Sequence, residues 1–127
     1  MKNLIGIVFF FATSIAAVAQ TPQVSTAPLE SRYELIQSTI GAKGTYRLDK
    51  YTGDVHQMVV NKNEDKAWKA IGRLPHSLDV KREAKVNYQL FTSGLAMRFT
   101  YLININTGAT WQLVEDQDKD LVWSPIL

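Results

Sequence analysis

The chain has 127 residues, 14 basic and 12 acidic side chains, and no cysteine. That length supports one modest core, and the lack of thiols excludes disulfides, thiolate metal centres and a cysteine nucleophile. The near-balanced charge leaves no electrostatic footprint for nucleic acid as a partner.

Residues 1–19 read as a secretory signal peptide. Lys2 supplies the positive end, Leu4 to Ala12 an apolar run, and Ala17-Val18-Ala19 the small-x-small pattern at which signal peptidase cuts. The run is short for a helix that must cross about 30 Å of hydrocarbon. The expectation is therefore cleavage after Ala19 and a protein exported to the periplasm or secreted, with no membrane anchor after cleavage. The mature chain would run from Gln20 to Leu127, and loss of Lys2 removes one of its basic side chains, which leaves the charge nearly neutral. Residues 20–32, with Pro22 and Pro28, are expected to form a flexible leader.

The single domain expected over residues 33–127 carries an internal repeat. At one constant offset, Tyr33 to Gly72 aligns without a gap on Tyr88 to Leu127, with 12 identities in 40 positions. They include Tyr33/Tyr88, Leu35/Leu90, Tyr46/Tyr101, Gly53/Gly108, Trp68/Trp123 and Ile71/Ile126. Each copy reads as strand, strand, tight turn, strand and a tryptophan-bearing tail. The strands are Tyr33 to Gln37, Thr45 to Asp49 and Val55 to Val60 in the first copy. In the second they are Val86 to Phe91, the alternation from Phe99 to Ile105, and Thr110 to Glu115. Apolar residues on both faces imply sheets covered on two sides.

The turns are Asp49-Lys50-Tyr51-Thr52-Gly53-Asp54 and Asn104-Ile105-Asn106-Thr107-Gly108-Ala109. The opening Asp or Asn can accept from amides further along, and the Gly provides the positive φ that closes the hairpin. Equivalent turns predict similar losses of stability for Gly53→Val and Gly108→Val. The patterns Leu48-Asp49-x-x-Thr52-Gly53 and Ile103-Asn104-x-x-Thr107-Gly108-x-x-Trp111 resemble the hairpin repeat of quinoprotein propeller blades. They also resemble the short Leu-Asp-x-x-Thr-Gly-x-x-Trp repeats of uncharacterised exported bacterial proteins. The resemblance covers about ten residues per copy, implies β hairpins and carries no functional residue over.

Residues 73–87 join the copies, with Pro75 and a Ser77 that could cap a helical turn or two. His56 and His76 are the two side chains that titrate near neutral pH unperturbed, and neither lies in a nucleophile or metal pattern. His56 aligns with Trp111, which marks a slot for a bulky side chain. Ser38, Ser77 and Ser93 are the hydroxyls weighed for a histidine dyad. Asp116, Asp118 and Asp120 align with Asn61, Asn63 and Asp65, the i, i+2, i+4 oxygen spacing of calcium loops, although Leu121 and Leu127 stand where such loops carry Gly and Glu. These aspartates are the calcium candidates and no other cofactor is expected. Trp68 and Trp123 are expected to cap their units or the seam between them. With Trp111 they are otherwise the candidate ligand-binding residues.

The expected fold is all-β: two three-stranded antiparallel units, related by a pseudo-two-fold axis and packed as a six-stranded sandwich or partly closed barrel. The expected function is a non-enzymatic exported binding module for a protein or cell-envelope ligand. The alternatives are an inhibitor or protective factor against an extracellular enzyme or toxin, a small hydrolase with serine or paired carboxylates, and a self-associating structural subunit.

Overall fold

The computed structural model describes residues 27–39, 44–93 and 95–127. The expected signal peptide and most of the leader lie outside the described residues. Eight strands follow in chain order: β1 (Tyr33–Gln37), β2 (Thr45–Asp49), β3 (Val55–Val60), β4 (Lys66–Arg73), β5 (Tyr88–Phe91), β6 (Tyr101–Asn104), β7 (Thr110–Glu115) and β8 (Leu121–Ile126). They form one mixed sheet in the order β1-β2-β3-β4-β8-β7-β6-β5. Neighbours are antiparallel except β4 and β8, which pair in parallel through Gly72 opposite Val122 and Arg73 opposite Trp123. Among the described residues no helix is long and apolar enough to cross a membrane.

The hairpin turns form as their residues dictate. Asp49 Oδ1 accepts from Tyr51 N at 3.0 Å and Thr52 N at 3.4 Å, while Asn104 Oδ1 accepts from Asn106 N at 3.0 Å and Thr107 N at 3.3 Å. Gly53 and Gly108 have φ of 77° and 79° and donate to the carbonyls of Asp49 and Asn104, each at 2.8 Å. Asp49 is also gripped by Arg32, whose Nη2 donates to Oδ2 at 2.8 Å. Burial alone would raise the Asp49 pKa. The Arg32 hydrogen bond and the two turn amides outweigh it and hold the carboxyl below its ordinary range. The last residues before β1 are thus tied to the sheet, and Lys50 Nζ donates to the Leu29 carbonyl at 2.9 Å.

The six-strand expectation is corrected to eight, because both tryptophan-bearing tails are strands. Lys66–Arg73 lacks an apolar-polar alternation and Leu121–Ile126 contains Pro125, so neither reads as a strand alone. Each is recruited by the hairpin partner that precedes it. Pro125 is tolerated because the β4 ladder reaches only Val122 and Trp123, which leaves β8 an edge at that point. The expected helical turns between the copies are also absent. The described connector runs as bends and turns, and a 3₁₀ turn, Met97–Phe99, precedes β6.

The sheet curls on itself and nearly closes as a barrel rather than stacking as a sandwich. Beside the free edges of β1 and β5, the Lys50 carbonyl accepts from Asn87 N at 2.7 Å and Tyr88 N at 3.0 Å. Ser38 Oγ donates to the Ser93 carbonyl at 3.2 Å. Inside lie Tyr46, Leu48, Val55 and Ile71 from β2–β4, facing Tyr88, Leu90, Leu102, Trp111, Leu113 and Trp123 from β5–β8.

This core is not two-fold symmetric, which corrects the expected axis. Aligned positions differ in burial: Tyr33 is 55% exposed and Tyr88 0%, Leu35 58% and Leu90 7%, Trp68 38% and Trp123 0%. On the opposite face the order reverses, with Ile71 at 8% and Ile126 at 45%. A two-fold axis would bury aligned residues alike. The cause is the parallel ladder, which sets Gly72 opposite Val122 instead of its aligned counterpart Leu127. The slip from Leu127 back to Val122 is an odd number of positions, and an odd slip in a period-two strand puts opposite faces on the same side.

The Tyr46 hydroxyl is buried with no hydrogen-bond partner among the described residues, and burial raises its pKa. Tyr46→Phe is therefore expected to leave stability unchanged or raise it by up to about 1 kcal/mol, read from the urea midpoint.

Candidate functional site

Two regions concentrate chemistry. The first is a polar cluster at the barrel end where the connector crosses. Arg73, the last residue of β4, lies between the rings of Tyr88 and Trp111, its guanidinium carbon 4.9 and 5.0 Å from their centroids. Its Nη2 donates to the Thr52 carbonyl at 3.1 Å and its Nη1 to the Gly53 carbonyl at 3.2 Å. Asp79 in the connector lies 3.7 Å from Arg73 Nη2. It also accepts from the Tyr88 hydroxyl at 2.6 Å and Asn104 Nδ2 at 3.0 Å. Burial and the bond to Asp79 push the Tyr88 pKa far above its ordinary value, so its hydroxyl stays a donor at neutral pH.

The rest of the cluster is equally committed. Trp111 Nε1 donates to the Leu74 carbonyl at 2.8 Å. Nδ1 of His76 accepts from Leu78 N at 3.1 Å, so Nε2 carries the hydrogen and donates to the Ile126 carbonyl at 3.1 Å. Asn87 donates to the carbonyls of Tyr51, Arg82 and Lys85 and accepts from Arg82 N. Each of these polar side chains is matched to a neighbour, and the cation is enclosed by rings and carbonyls. This is a clamp that fixes the connector across the barrel end. Sequence reading missed it because Arg73, Asp79, Tyr88 and Asn104 carry no common spacing. The one available signal was the acidic Asp79 between apolar Leu78 and Val80.

The second region is the outward face of β1–β4. Cross-strand register aligns Leu35 with Arg47 and Arg47 with His56, then His56 with Ala70 and Met58 with Trp68. Tyr33 flanks them on β1. Arg47 lies over the Trp68 indole, 5.1 Å from its centroid. Tyr33, Leu35, Val60 and Trp68 are exposed, so apolar side chains on β1 and on β3–β4 flank Arg47 of β2, and Arg32 lies over the Tyr33 ring at 5.1 Å.

The structure separates the tryptophans expected to act together. Trp111 and Trp123 are in the core, and Trp68 lies on the outward face. Among the hydroxyls weighed for a dyad, Ser38 donates to the Ser93 carbonyl and Ser93 Oγ accepts from Leu95 N. Both are committed to backbone groups.

In the acidic loop Asp116 Oδ1 accepts from Asp118 N and Asp120 N, both at 2.9 Å, and Asp120 pairs with Lys69 at 2.5 Å. Asn61 Oδ1 accepts from Asn63 N and Asp65 N at the same distances. A neutral amide thus makes the same turn, whose reversal falls on Glu64 and Lys119 at φ of 65° and 62°. Among the described residues no three acidic or histidine side chains converge as metal ligands. Asp116→Asn is expected to keep full stability, whereas Asp116→Ala loses about 1 kcal/mol, compared by thermal melting.

No family model matches the chain, and no curated protein or solved structure matches it significantly.

Proposed function

We propose that this is an exported, non-enzymatic interaction module built from a duplicated four-stranded unit, and that the outward face of β1–β4 is its docking surface. The observation that carries this reading is the exposure of Tyr33, Leu35 and Trp68 on one face. Contiguous exposed aromatic and aliphatic surface marks interaction sites on soluble proteins, and tryptophan, tyrosine and arginine dominate binding energy where they meet a partner. The duplication is supported by hydrogen bonds that recur at aligned positions. Lys50 N donates to the Arg32 carbonyl at 2.7 Å and Ile105 N to the Asn87 carbonyl at 2.8 Å, and the turn bonds of Asn61 and Asp116 repeat likewise.

The partner class is a protein or cell-envelope component. An inhibitor of an extracellular enzyme is one form such a module takes. The test is cross-linking of the purified protein in an envelope fraction, comparing wild type with the double variant Leu35→Glu, Trp68→Glu. The variant should keep its circular dichroism spectrum and lose its cross-linked partner by about tenfold or more. Equal cross-linking by both proteins would place the docking surface elsewhere.

A further inference from the structure

The two outward faces are the aligned counterparts of the two faces that already meet inside the chain. Within the core, the inward face of β1–β4 (Ile36, Tyr46, Leu48, Val55, Ile71) packs on the inward face of β5–β8 (Tyr88, Leu90, Leu113, Trp123). The first set aligns through the repeat with Phe91, Tyr101, Ile103, Thr110 and Ile126, all on the outward side of β5–β8. The second set aligns with Tyr33, Leu35, Met58 and Trp68 on the outward side of β1–β4. One molecule therefore presents both halves of its own core interface, one on each side, and uses neither.

We propose that the protein self-associates head to tail, the outward face of β5–β8 in one copy docking on the outward face of β1–β4 in the next. This rests on the reading of the β1–β4 face as a docking surface and names its partner as a second copy. The contact repeats the internal one: Tyr101 and Ile103 take the place of Tyr46 and Leu48, while Tyr33, Leu35 and Trp68 take that of Tyr88, Leu90 and Trp123. The contact is more polar than the core, with Arg47 for Leu102, His56 for Trp111, Lys66 for Leu121, Asp54 for Ala109 and Thr110 for Val55. Association is accordingly weaker than the internal packing and depends on concentration. Because the two faces differ, the contact is heterologous, and each added copy leaves one face of each kind open until a ring closes.

Sedimentation velocity on wild type, Leu35→Glu and Phe91→Glu tests this. Leu35 and Phe91 are both exposed, so neither change disturbs the core, and Ile126→Glu is a second variant of the β5–β8 face. Wild type should grow in mass with concentration, and each variant alone should remain a single chain. An equimolar mixture of Leu35→Glu and Phe91→Glu should form a species of two chains and nothing larger, since each retains the face that the other lacks. A wild type that stays a single chain up to its solubility limit overturns the proposal. So does a variant that still assembles alone, which would indicate like-on-like contact, or a mixture that stays monomeric. If wild type is a single chain yet Leu35→Glu, Trp68→Glu still abolishes cross-linking to another protein, self-association fails and the docking surface stands.

Discussion

Gly53→Val should unfold the protein under conditions in which Gly108→Val leaves it folded. Both glycines have positive φ, a conformation that costs a residue bearing a Cβ about 1–2 kcal/mol and a β-branched residue more. A Cβ at Gly108 would meet nothing within 4 Å, so the backbone term is the whole cost there. At Gly53 the same atom would collide with Arg73 Nη1 and come within 2.9 Å of the Tyr88 ring. The guanidinium cannot swing aside without leaving two rings and two carbonyls. Overpacking of about 1–3 kcal/mol adds to the strain. Urea midpoints should therefore fall at least about twice as far for Gly53→Val as for Gly108→Val. Equal shifts would show that the clamp yields freely. The similar losses that the aligned turns predict are corrected on this point: the turns match, but what packs over them does not.

Asp79→Ala should produce the second large loss, about 3 kcal/mol. It leaves the Tyr88 hydroxyl without its acceptor, removes one of two acceptors of Asn104 Nδ2, and strips the enclosed Arg73 of its carboxylate. Asp79→Asn should fall between, because a side-chain oxygen is kept and the charge is lost. Tyr88 also implies a pH dependence. Its folded pKa is raised, with burial the larger cause and Asp79 the next, so the unfolded chain releases that proton first. The stability contributed by neutral Tyr88 is fully present below about pH 10 and is lost as pH rises above it. Tyr46 acts with the same sign. Urea titrations at neutral pH and above about pH 10 measure this, and a flat profile would mean that the tyrosine is not enclosed as described.

Much of the fold is legible in the residues. Tyr33–Gln37, Thr45–Asp49, Val55–Val60 and Thr110–Glu115 are strands with the bounds that their composition and alternation imply. The glycines at positive φ follow from turn chemistry that local sequence fully specifies. Lys66–Arg73 and Leu121–Ile126 are not legible in this way, because a ladder, not a propensity, makes them strands. The clamp is not legible either, since Arg73, Asp79, Tyr88, Asn104 and Trp111 come from β4, the connector, β5, β6 and β7, which only the curled sheet assembles.

By itself the sequence determined where six of the eight strands run and where their hairpins reverse, because alternation and turn residues act over a few neighbours. It left open which side of each strand faces inward, since Leu35 is as apolar as Ile36, and Met58 and the largely apolar Trp68 could fill a core as well as Val55 and Ile71. Only the tertiary structure decided that. The parallel pairing of Arg73 with Trp123 sets the inward side of β5–β8 against that of β1–β4, burying one Tyr-Leu-Trp set and leaving its aligned twin on the surface.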